Sequence, residues 1–296
     1  MSSEKGHGEG GARREPDAVT PQAWSDLIQR RCGLAFRHVR MPDVIATVRE
    51  QMRAQGLASE SAYYQILAGS PDGAGEWDAL LERLTNHETS FFRHPPSFDA
   101  LRSHILPELR ETRPHSGRLS IWSAGCSTGQ EAYSLAMLAM NDAALKGEFM
   151  VWGGDISHDA IKTARRARYG PRAIAAVPDD FRNRFLRKVE TETVPEYEVV
   201  DELRQRVRFM AMNLLEAGGF RPSHDVIFCH NVLIYFAPDA VTRVVARLAS
   251  CLTLGGYLLL GPGEAPNGRP PGLEPVNMSG VRAFQRKTVR PVEVPA

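Results

Sequence analysis

The spacing of apolar residues changes along the chain, from a helical repeat near the N-terminus to alternating strands and helices in the rest. Between residues 21 and 86, apolar side chains recur every three or four positions, as in amphipathic helices. The residues that carry this repeat are Trp24, Leu27, Ile28, Val44, Ile45, Val48, Met52, Tyr63, Ile66, Leu67, Trp77, Leu80, Leu81 and Leu84. The pattern predicts an all-helical domain of about four helices over residues 18–86.

From Leu101 onward, short apolar runs alternate with helical segments. The predicted strands are Leu119–Trp122, Phe149–Gly153, Val207–Ala211, Asp225–Cys229, Tyr257–Gly261 and Val281–Gln285. The predicted helices are Gln130–Asn141, Ser157–Ala167 and Asp239–Leu254. This alternation predicts an α/β domain over residues 101–288, with a mostly parallel sheet covered by helices on both faces.

Three segments depart from this plan. Residues 1–17 contain too few apolar side chains to offset the entropy of ordering, so we expect a disordered tail, and residues 289–296 form a second tail. The segment Tyr169–Gln205 does not fit a βα repeat, and Thr191–Val200 within it is charged and β-prone. We therefore predict a small inserted β-subdomain at about residues 171–205.

Composition narrows the possible function classes. The 36 Lys and Arg residues balance 35 Asp and Glu, so no overall field favours nucleic acid or an anionic membrane. No apolar run approaches the roughly 20 residues of a membrane span, and the N-terminus lacks the apolar core of a signal peptide. The four cysteines have no C-x-x-C spacing, which argues against a zinc site or a disulfide framework. We expect a cytoplasmic protein without membrane insertion.

The loop Gly125–Gly129 joins the first predicted strand to a predicted helix. Glycines at this position let the backbone approach a nucleotide-like ligand, and the helix start offers free N–H groups. A cofactor site and a plain strand-to-helix turn both fit the loop. The glycine spacing matches neither the dinucleotide fingerprint nor a P-loop.

Polar residues follow the later strands at their carboxyl ends. Asp155 ends the second strand, where a doubly wound sheet holds a ribose diol, and capping of the next helix is the alternative. Asn213 and Leu214 follow one later strand, and His230 and Asn231 follow another. Each is a candidate ligand contact or an ordinary turn residue.

Several blocks resemble the CheR family of chemotaxis receptor methyltransferases. These blocks are Thr85–Arg93, Ser123–Ser134, Gly154–Asp155, Asn213–Glu216 and Phe228–Phe236. The resemblance implies a Rossmann-like methyltransferase domain with an inserted β-subdomain, preceded by the helical domain and by a linker at residues 87–100 that contributes to the site. It also implies S-adenosylmethionine as methyl donor, S-adenosylhomocysteine as product, and glutamate side chains of a methyl-accepting chemoreceptor-like protein as acceptor.

The resemblance also implies a set of site residues. The implied cofactor contacts are Thr89, Arg93, Glu131, Asp155, Asn213, Leu214 and Asn231, to which we add Gly125 of the glycine loop and the two departing positions His87 and His230. Arg93 is the candidate to hold the incoming carboxylate through its planar fork of donors, with a surface salt bridge as the alternative. Tyr235 would lie close to the transferring methyl, although a core tyrosine bonded to backbone is the ordinary alternative.

Three positions depart from the family pattern. His87 replaces a usual Asn, His230 replaces a frequent Arg, and Glu50 lies between Arg49 and Arg53 on the otherwise basic second helix. These changes leave the receptor undetermined. They also keep open a cofactor-binding signalling adaptor that transfers little or no methyl. The glycine spacing disfavours an NAD-linked oxidoreductase.

Overall fold

The computed structural model describes residues 17–36, 40–69, 73–112, 117–145, 148–192, 194–216, 224–264, 266 and 270–287. Of the predicted tails, residues 1–16 and 289–296 lie outside the described residues, whereas Asp17 is described. The described residues form two compact units: one contains residues 17–27 and those of Phe36–Leu80, and the other contains Ile28–Ala35 and those from Leu81 onward. The domain limits predicted near residues 86 and 100 stay predictions.

Four helices occupy the region where the sequence predicts about four. They are α1 (Pro21–Cys32), α2 (Met41–Ala54), α3 (Glu60–Gly69) and α4 (Gly73–Leu84). Trp24 and Tyr63 are fully buried, with ring centroids 6.3 Å apart. The helical period of apolar residues in this region therefore reports a packed interior.

In its described residues, the second unit contains ten strands and seven further α-helices. The strands are β1 (Leu119–Ala124), β2 (Phe149–Asp155), β3 (Arg168–Tyr169), β4 (Leu186–Val189), β5 (Glu196–Val199), β6 (Val207–Ala211), β7 (His224–Cys229), β8 (Leu252–Leu260), β9 (Leu273–Met278) and β10 (Val281–Arg286). The helices are α5 (Pro95–Ala100), α6 (Leu106–Thr112), α7 (Gln130–Asn141), α8 (His158–Arg166), α9 (Asp179–Phe185), α10 (Asp201–Arg204) and α11 (Pro238–Cys251). A π-helical segment, Leu101–Ile105, joins α5 to α6.

The main sheet has the strand order β6-β2-β1-β7-β8-β10-β9. The first five of these strands are parallel to one another, β10 pairs antiparallel with β8, and β9 pairs antiparallel with β10. Neighbouring residues of β1 enter different core clusters, with Ile121 in one and Trp122 in the other, so both faces of the sheet are covered. The α/β prediction with a mostly parallel sheet is confirmed.

The predicted elements need two corrections, one at the end of a helix and one for a missing strand. Helix α11 ends at Cys251 and not at Leu254, because Leu252 already pairs with His224 as the first residue of β8. Strand β9 was not predicted. It contains Pro275, which a strand tolerates at a sheet edge, and its burial pattern shows few apolar contacts that would mark it in sequence.

The predicted insertion contains a three-stranded antiparallel sheet in the order β3-β5-β4. Glu198 of β5 is buried and lies 2.7 Å from Arg187 and 3.2 Å from Arg168. The hydrogen bond from Arg187, followed by that from Arg168, lowers the pKa of Glu198. Two ion pairs that share Glu198 therefore connect all three strands. Strand β3 begins before the predicted start of the insertion at residue 171.

In the part of the chain that the structure describes, no helix combines the length and the apolar character that crossing a membrane requires.

Candidate functional site

The carboxyl ends of four parallel strands meet at one edge of the main sheet. Ala124 at the end of β1 pairs with Gly154 of β2, and Asp155 pairs with Ala211 at the end of β6. On the other side of β1, Ser123 pairs with Phe228 of β7. The polar residues that follow these strands are therefore neighbours in space, although they are far apart in sequence.

The glycine loop after β1 lies across the end of β2. The N–H groups of Gly125 and Cys126 both donate to the carbonyl of Gly154, at 2.8 and 2.9 Å. Gly125 has a φ of +79°, and a Cβ there would lie 2.2 Å from Cγ2 of Val232. Both facts require glycine at this position. These contacts hold the loop beside the space that a ligand at the strand ends would occupy.

Asp155 accepts hydrogen bonds from the backbone of the glycine loop and from the residue that precedes α8. Its Oδ2 accepts from the N–H of Ser127 at 2.7 Å, and its Oδ1 accepts from the N–H of Ser157 at 3.0 Å. Burial raises the pKa of Asp155, while these two hydrogen bonds act in the opposite direction. Ser157 is the residue that caps α8, through Ala160, so Asp155 is not itself the cap. A carboxylate accepts about four hydrogen bonds, which leaves capacity for a ligand.

Glu131 and His230 form a second polar pair. Glu131 lies in the first turn of α7, where its Oε1 accepts from the hydroxyl of Ser123 at 2.7 Å. Its Oε2 is 3.4 Å from Nδ1 of His230, whose side chain is only 4% exposed. The other ring nitrogen of His230, Nε2, is 3.4 Å from Oγ of the fully buried Ser97. His230 therefore places its imidazole between a carboxylate and a serine.

Glu264 holds the loop after β7. It is not among the site residues predicted from the sequence. Its carboxylate accepts from four backbone N–H groups, those of Asn231 (2.7 Å), Val232 (2.7 Å), Ile234 (3.3 Å) and Gly261 (2.9 Å). Glu264 is buried, and Asn231 adopts a left-handed φ of +60°. A glutamate in a glycine-rich turn carries no sequence signal for partners 30 residues away. The loop that carries Asn231 and Tyr235 therefore depends on this carboxylate.

His87 reaches the glycine loop through its backbone. Its carbonyl accepts from the hydroxyl of Ser127 at 3.1 Å. Its ring Nε2 lies 3.1 Å from Oγ1 of Thr85 and 3.5 Å from a carboxylate oxygen of Glu82. Glu82, also missed from sequence, accepts from the hydroxyl of Ser157 as well. The ring of His87 therefore faces a carboxylate.

The segment before α5 lies against the loop after β7. The side-chain amide of Asn86 donates to the hydroxyl of Tyr235 at 3.3 Å. Arg93 is exposed, and its Nη1 donates to the carbonyl of Glu88 at 2.8 Å. Thr89 is partly buried. The predicted roles of Arg93, Thr89 and Tyr235 toward ligands stay predictions.

Asn213 and Leu214 follow β6 beside Asp155, because the N–H of Met212 donates to the carbonyl of Asp155 at 2.7 Å. The amide of Asn213 donates to the carbonyl of Arg31 at 2.8 Å, and its Oδ1 accepts from the N–H of Leu215. Leu214 is buried in a core cluster. Asn213 therefore stabilises local backbone, and the ligand contacts of both residues stay predictions.

The site as a whole combines backbone N–H groups, a glycine loop and the carboxylates of Asp155, Glu131 and Glu82. Ionised carboxylates favour hydroxyl donors and positive charge. The arrangement suits a ligand that carries a diol and a cationic group.

Comparison with known proteins gives consistent matches. Residues 87–279 match the CheR methyltransferase, SAM binding domain, and residues 22–85 match the CheR methyltransferase, all-alpha domain. A probable chemotaxis protein methyltransferase of Rhizobium etli is 31% identical and covers 82% of this chain and 91% of that protein. Chemotaxis protein methyltransferase Cher2 of Pseudomonas putida is 30% identical, with 88% and 95% coverage. A probable biofilm formation methyltransferase WspC of Pseudomonas aeruginosa is 33% identical and covers 90% of this chain and 61% of that protein.

We expect Glu264→Gln to loosen the loop that carries Asn231 and Tyr235. Gln replaces one acceptor oxygen with an NH₂ donor, which then faces backbone N–H groups. Hydrogen–deuterium exchange of a peptide spanning residues 230–236 should become at least tenfold faster, while Glu202→Gln, on the exposed first turn of α10, should leave it unchanged. Equal exchange in the two variants would show that the loop does not depend on Glu264.

Proposed function

Because this chain belongs to the CheR methyltransferase family, we propose that it methylates glutamate side chains of a chemoreceptor-like protein, with S-adenosylmethionine as donor. The family match spans both the SAM-binding domain and the all-alpha domain, so the chain is an S-adenosylmethionine-dependent methyltransferase with a Rossmann-like fold. The glutamate acceptor is the finer part of the proposal. The names of the relatives from Rhizobium etli and Pseudomonas putida support it.

The residues at the strand ends fit the cofactor. Asp155 has two acceptor positions beyond those used by Ser127 and Ser157, which suits the two hydroxyls of a ribose. A Cβ at Gly125 would meet Val232, so glycine lets the loop keep its place across the end of β2. Glu131 is suited to the cationic amino group of the methionyl part. These residues would hold S-adenosylmethionine, which supplies a methyl group on a positively charged sulfur.

The acceptor explains why positioning is the main task of the protein. A glutamate has an ordinary pKa of about 4.3, so its side chain is already ionised at neutral pH and needs no general base. What the protein must provide is alignment of the carboxylate and removal of water around it. We assign alignment to Arg93, which is exposed and retains free guanidinium N–H groups beyond its bond to the carbonyl of Glu88.

We define the partner by its chemistry, as a protein with accessible glutamates in a methyl-accepting region. The relative WspC is named a probable biofilm formation methyltransferase, so similar chains are linked to signalling other than chemotaxis. The acidic residue Glu50 between Arg49 and Arg53 on α2 also gives this helix a mixed charge. We therefore propose a chemoreceptor-like acceptor without naming the signal that it detects.

The proposal is tested by methyl transfer to receptor fragments encoded near this chain, using S-adenosylmethionine labelled with tritium in the methyl group. Label that mild base releases as methanol is the expected result, because carboxyl methyl esters hydrolyse under these conditions. Base-stable label would exclude glutamate O-methylation. Tight binding of S-adenosylhomocysteine without any turnover would favour the signalling adaptor.

We expect Asp155→Asn to weaken binding of S-adenosylhomocysteine by about tenfold to a hundredfold. The amide keeps the shape of the carboxylate but loses a charged acceptor, and hydrogen bonds to charged groups contribute about 1.5–3 kcal/mol. Titration calorimetry gives the dissociation constant. Asp159→Asn, an exposed carboxylate at the start of α8, is the matched control. An unchanged constant for Asp155→Asn would limit this residue to its backbone contacts.

Arg93→Lys should lower turnover at least tenfold, or about 1.4 kcal/mol, and affect cofactor affinity less. Lysine keeps the positive charge but loses the planar fork that aligns a carboxylate. Steady-state methyl transfer and calorimetry separate the two effects, and Arg102→Lys, an exposed arginine paired with Asp99, controls for general changes. Normal turnover with poor affinity would assign Arg93 to cofactor binding.

A further inference from the structure

We propose that Ser97 and His94 are positioning residues, which fix the ring of His230 and, through it, the carboxylate of Glu131 in the cofactor site. The four side chains form one chain of polar contacts that reaches from the segment before α5 to the first turn of α7. The link to cofactor binding rests on the proposed function. The direction of the hydrogen bonds does not.

The contacts are close and mostly buried. Nδ1 of His94 lies 2.8 Å from Oγ of Ser97, and the same Oγ lies 3.4 Å from Nε2 of His230. Nδ1 of His230 lies 3.4 Å from Oε2 of Glu131, whose other oxygen accepts from the hydroxyl of Ser123. Ser97 and Ser123 are fully buried. Water therefore has little access to the middle of the chain of contacts.

The charge of Glu131 sets the proton position on His230. If Nδ1 carried a lone pair, that pair would face a carboxylate oxygen at 3.4 Å, which is repulsive. The proton of neutral His230 therefore lies on Nδ1, and Nε2 is an acceptor. The donor available to Nε2 is the hydroxyl of Ser97. The position of the proton on the second imidazole, His94, follows from the hydrogen bonds that Ser97 can make.

A serine hydroxyl has one hydrogen. Once Ser97 donates it to His230, its oxygen can only accept from His94, so neutral His94 must carry its proton on Nδ1. Burial lowers the pKa of His94, so this ring stays neutral to a lower pH than an ordinary histidine. The hydrogen bonds thus run from His94 through Ser97 to His230, and the protonated Nδ1 of His230 faces the carboxylate of Glu131.

The neighbours of His230 reinforce this arrangement. Its ring lies 5.0 Å from the ring of Phe228 and 5.7 Å from that of His94, measured between centroids. The adjacent residue, Asn231, donates its N–H to Glu264, so the backbone at this point is also held. Because the ring of His230 packs against Phe228 and His94 and lies beside Ser97, Oε2 of Glu131 has a fixed neighbour. A fixed carboxylate loses less conformational entropy when it binds a cation.

The test is the tautomeric state of His94 and His230, read from the ¹⁵N chemical shifts of the full chain labelled at histidine, at about pH 8. Both rings should show a protonated Nδ1 and an unprotonated Nε2. The variant His230→Gln assigns the resonances of His230. A protonated Nε2 on either ring of the parent protein would overturn the proposal.

Ser97→Ala should change both rings. His94 loses its acceptor at Nδ1 and should shift toward the Nε2-protonated form that a free histidine side chain prefers. The Nε2 resonance of His230 should move to the chemical shift of a nitrogen without a hydrogen bond. Ser97→Cys, a weaker donor of similar size, should give an intermediate result. The matched control is Ser120→Ala, which removes the serine 2.9 Å from Nδ1 of His224 and should leave His94 and His230 unchanged.

The functional readout is the affinity for S-adenosylhomocysteine, which should fall about twofold to tenfold in Ser97→Ala, as expected for one lost hydrogen bond. Unchanged affinity, despite altered tautomers, would overturn the positioning role. If the parent protein shows the expected tautomers but binds no S-adenosylhomocysteine, the proposed function fails and the hydrogen-bond direction stands.

Discussion

The site depends on charged hydrogen bonds from backbone N–H groups to buried carboxylates. Where the parallel strands end, the chain has N–H groups that no neighbouring strand can bind, and leaving them buried without a partner would be costly. Asp155 accepts two of them and Glu264 accepts four, while Glu82 binds the start of α8. The same carboxylates make this edge of the sheet electronegative. One interaction therefore shapes the loops and selects a cationic ligand.

The sequence predicted most of the fold because periodicity reports burial. Helix α7 has the predicted bounds, and the buried strands β1, β2, β6 and β7 lie at the predicted positions. The errors occur where that signal weakens: edge strand β9 has a partly exposed pattern with a proline, and α11 continues directly into β8 without a breaking residue. The change from helix to strand after Cys251 depends on the pairing of Leu252 with His224, which no local sequence pattern shows.

The candidate site divides in a similar way. Gly125 and Asp155 could be identified because they follow strands, and Glu131 because of the family resemblance; the structure places all three at the strand ends. Glu264, Glu82 and Ser97 could not, since their partners are 30 or more residues away and each is an ordinary residue in its local context. The family resemblance marked His87 and His230 as departures, but only the coordinates show that both rings lie near carboxylates.

The short segment Ile28–Ala35 belongs to the second compact unit, although it lies far before the rest of that unit in sequence. Leu34 forms a bridge with Phe236, the N–H of Ala35 donates to the carbonyl of Tyr235, and the carbonyl of Arg31 accepts from Asn213. During synthesis on the ribosome, these residues emerge some 200 positions before their partners. The loop with Tyr235 therefore completes its contacts late, and the enzyme gains its site only after nearly the whole chain has been translated.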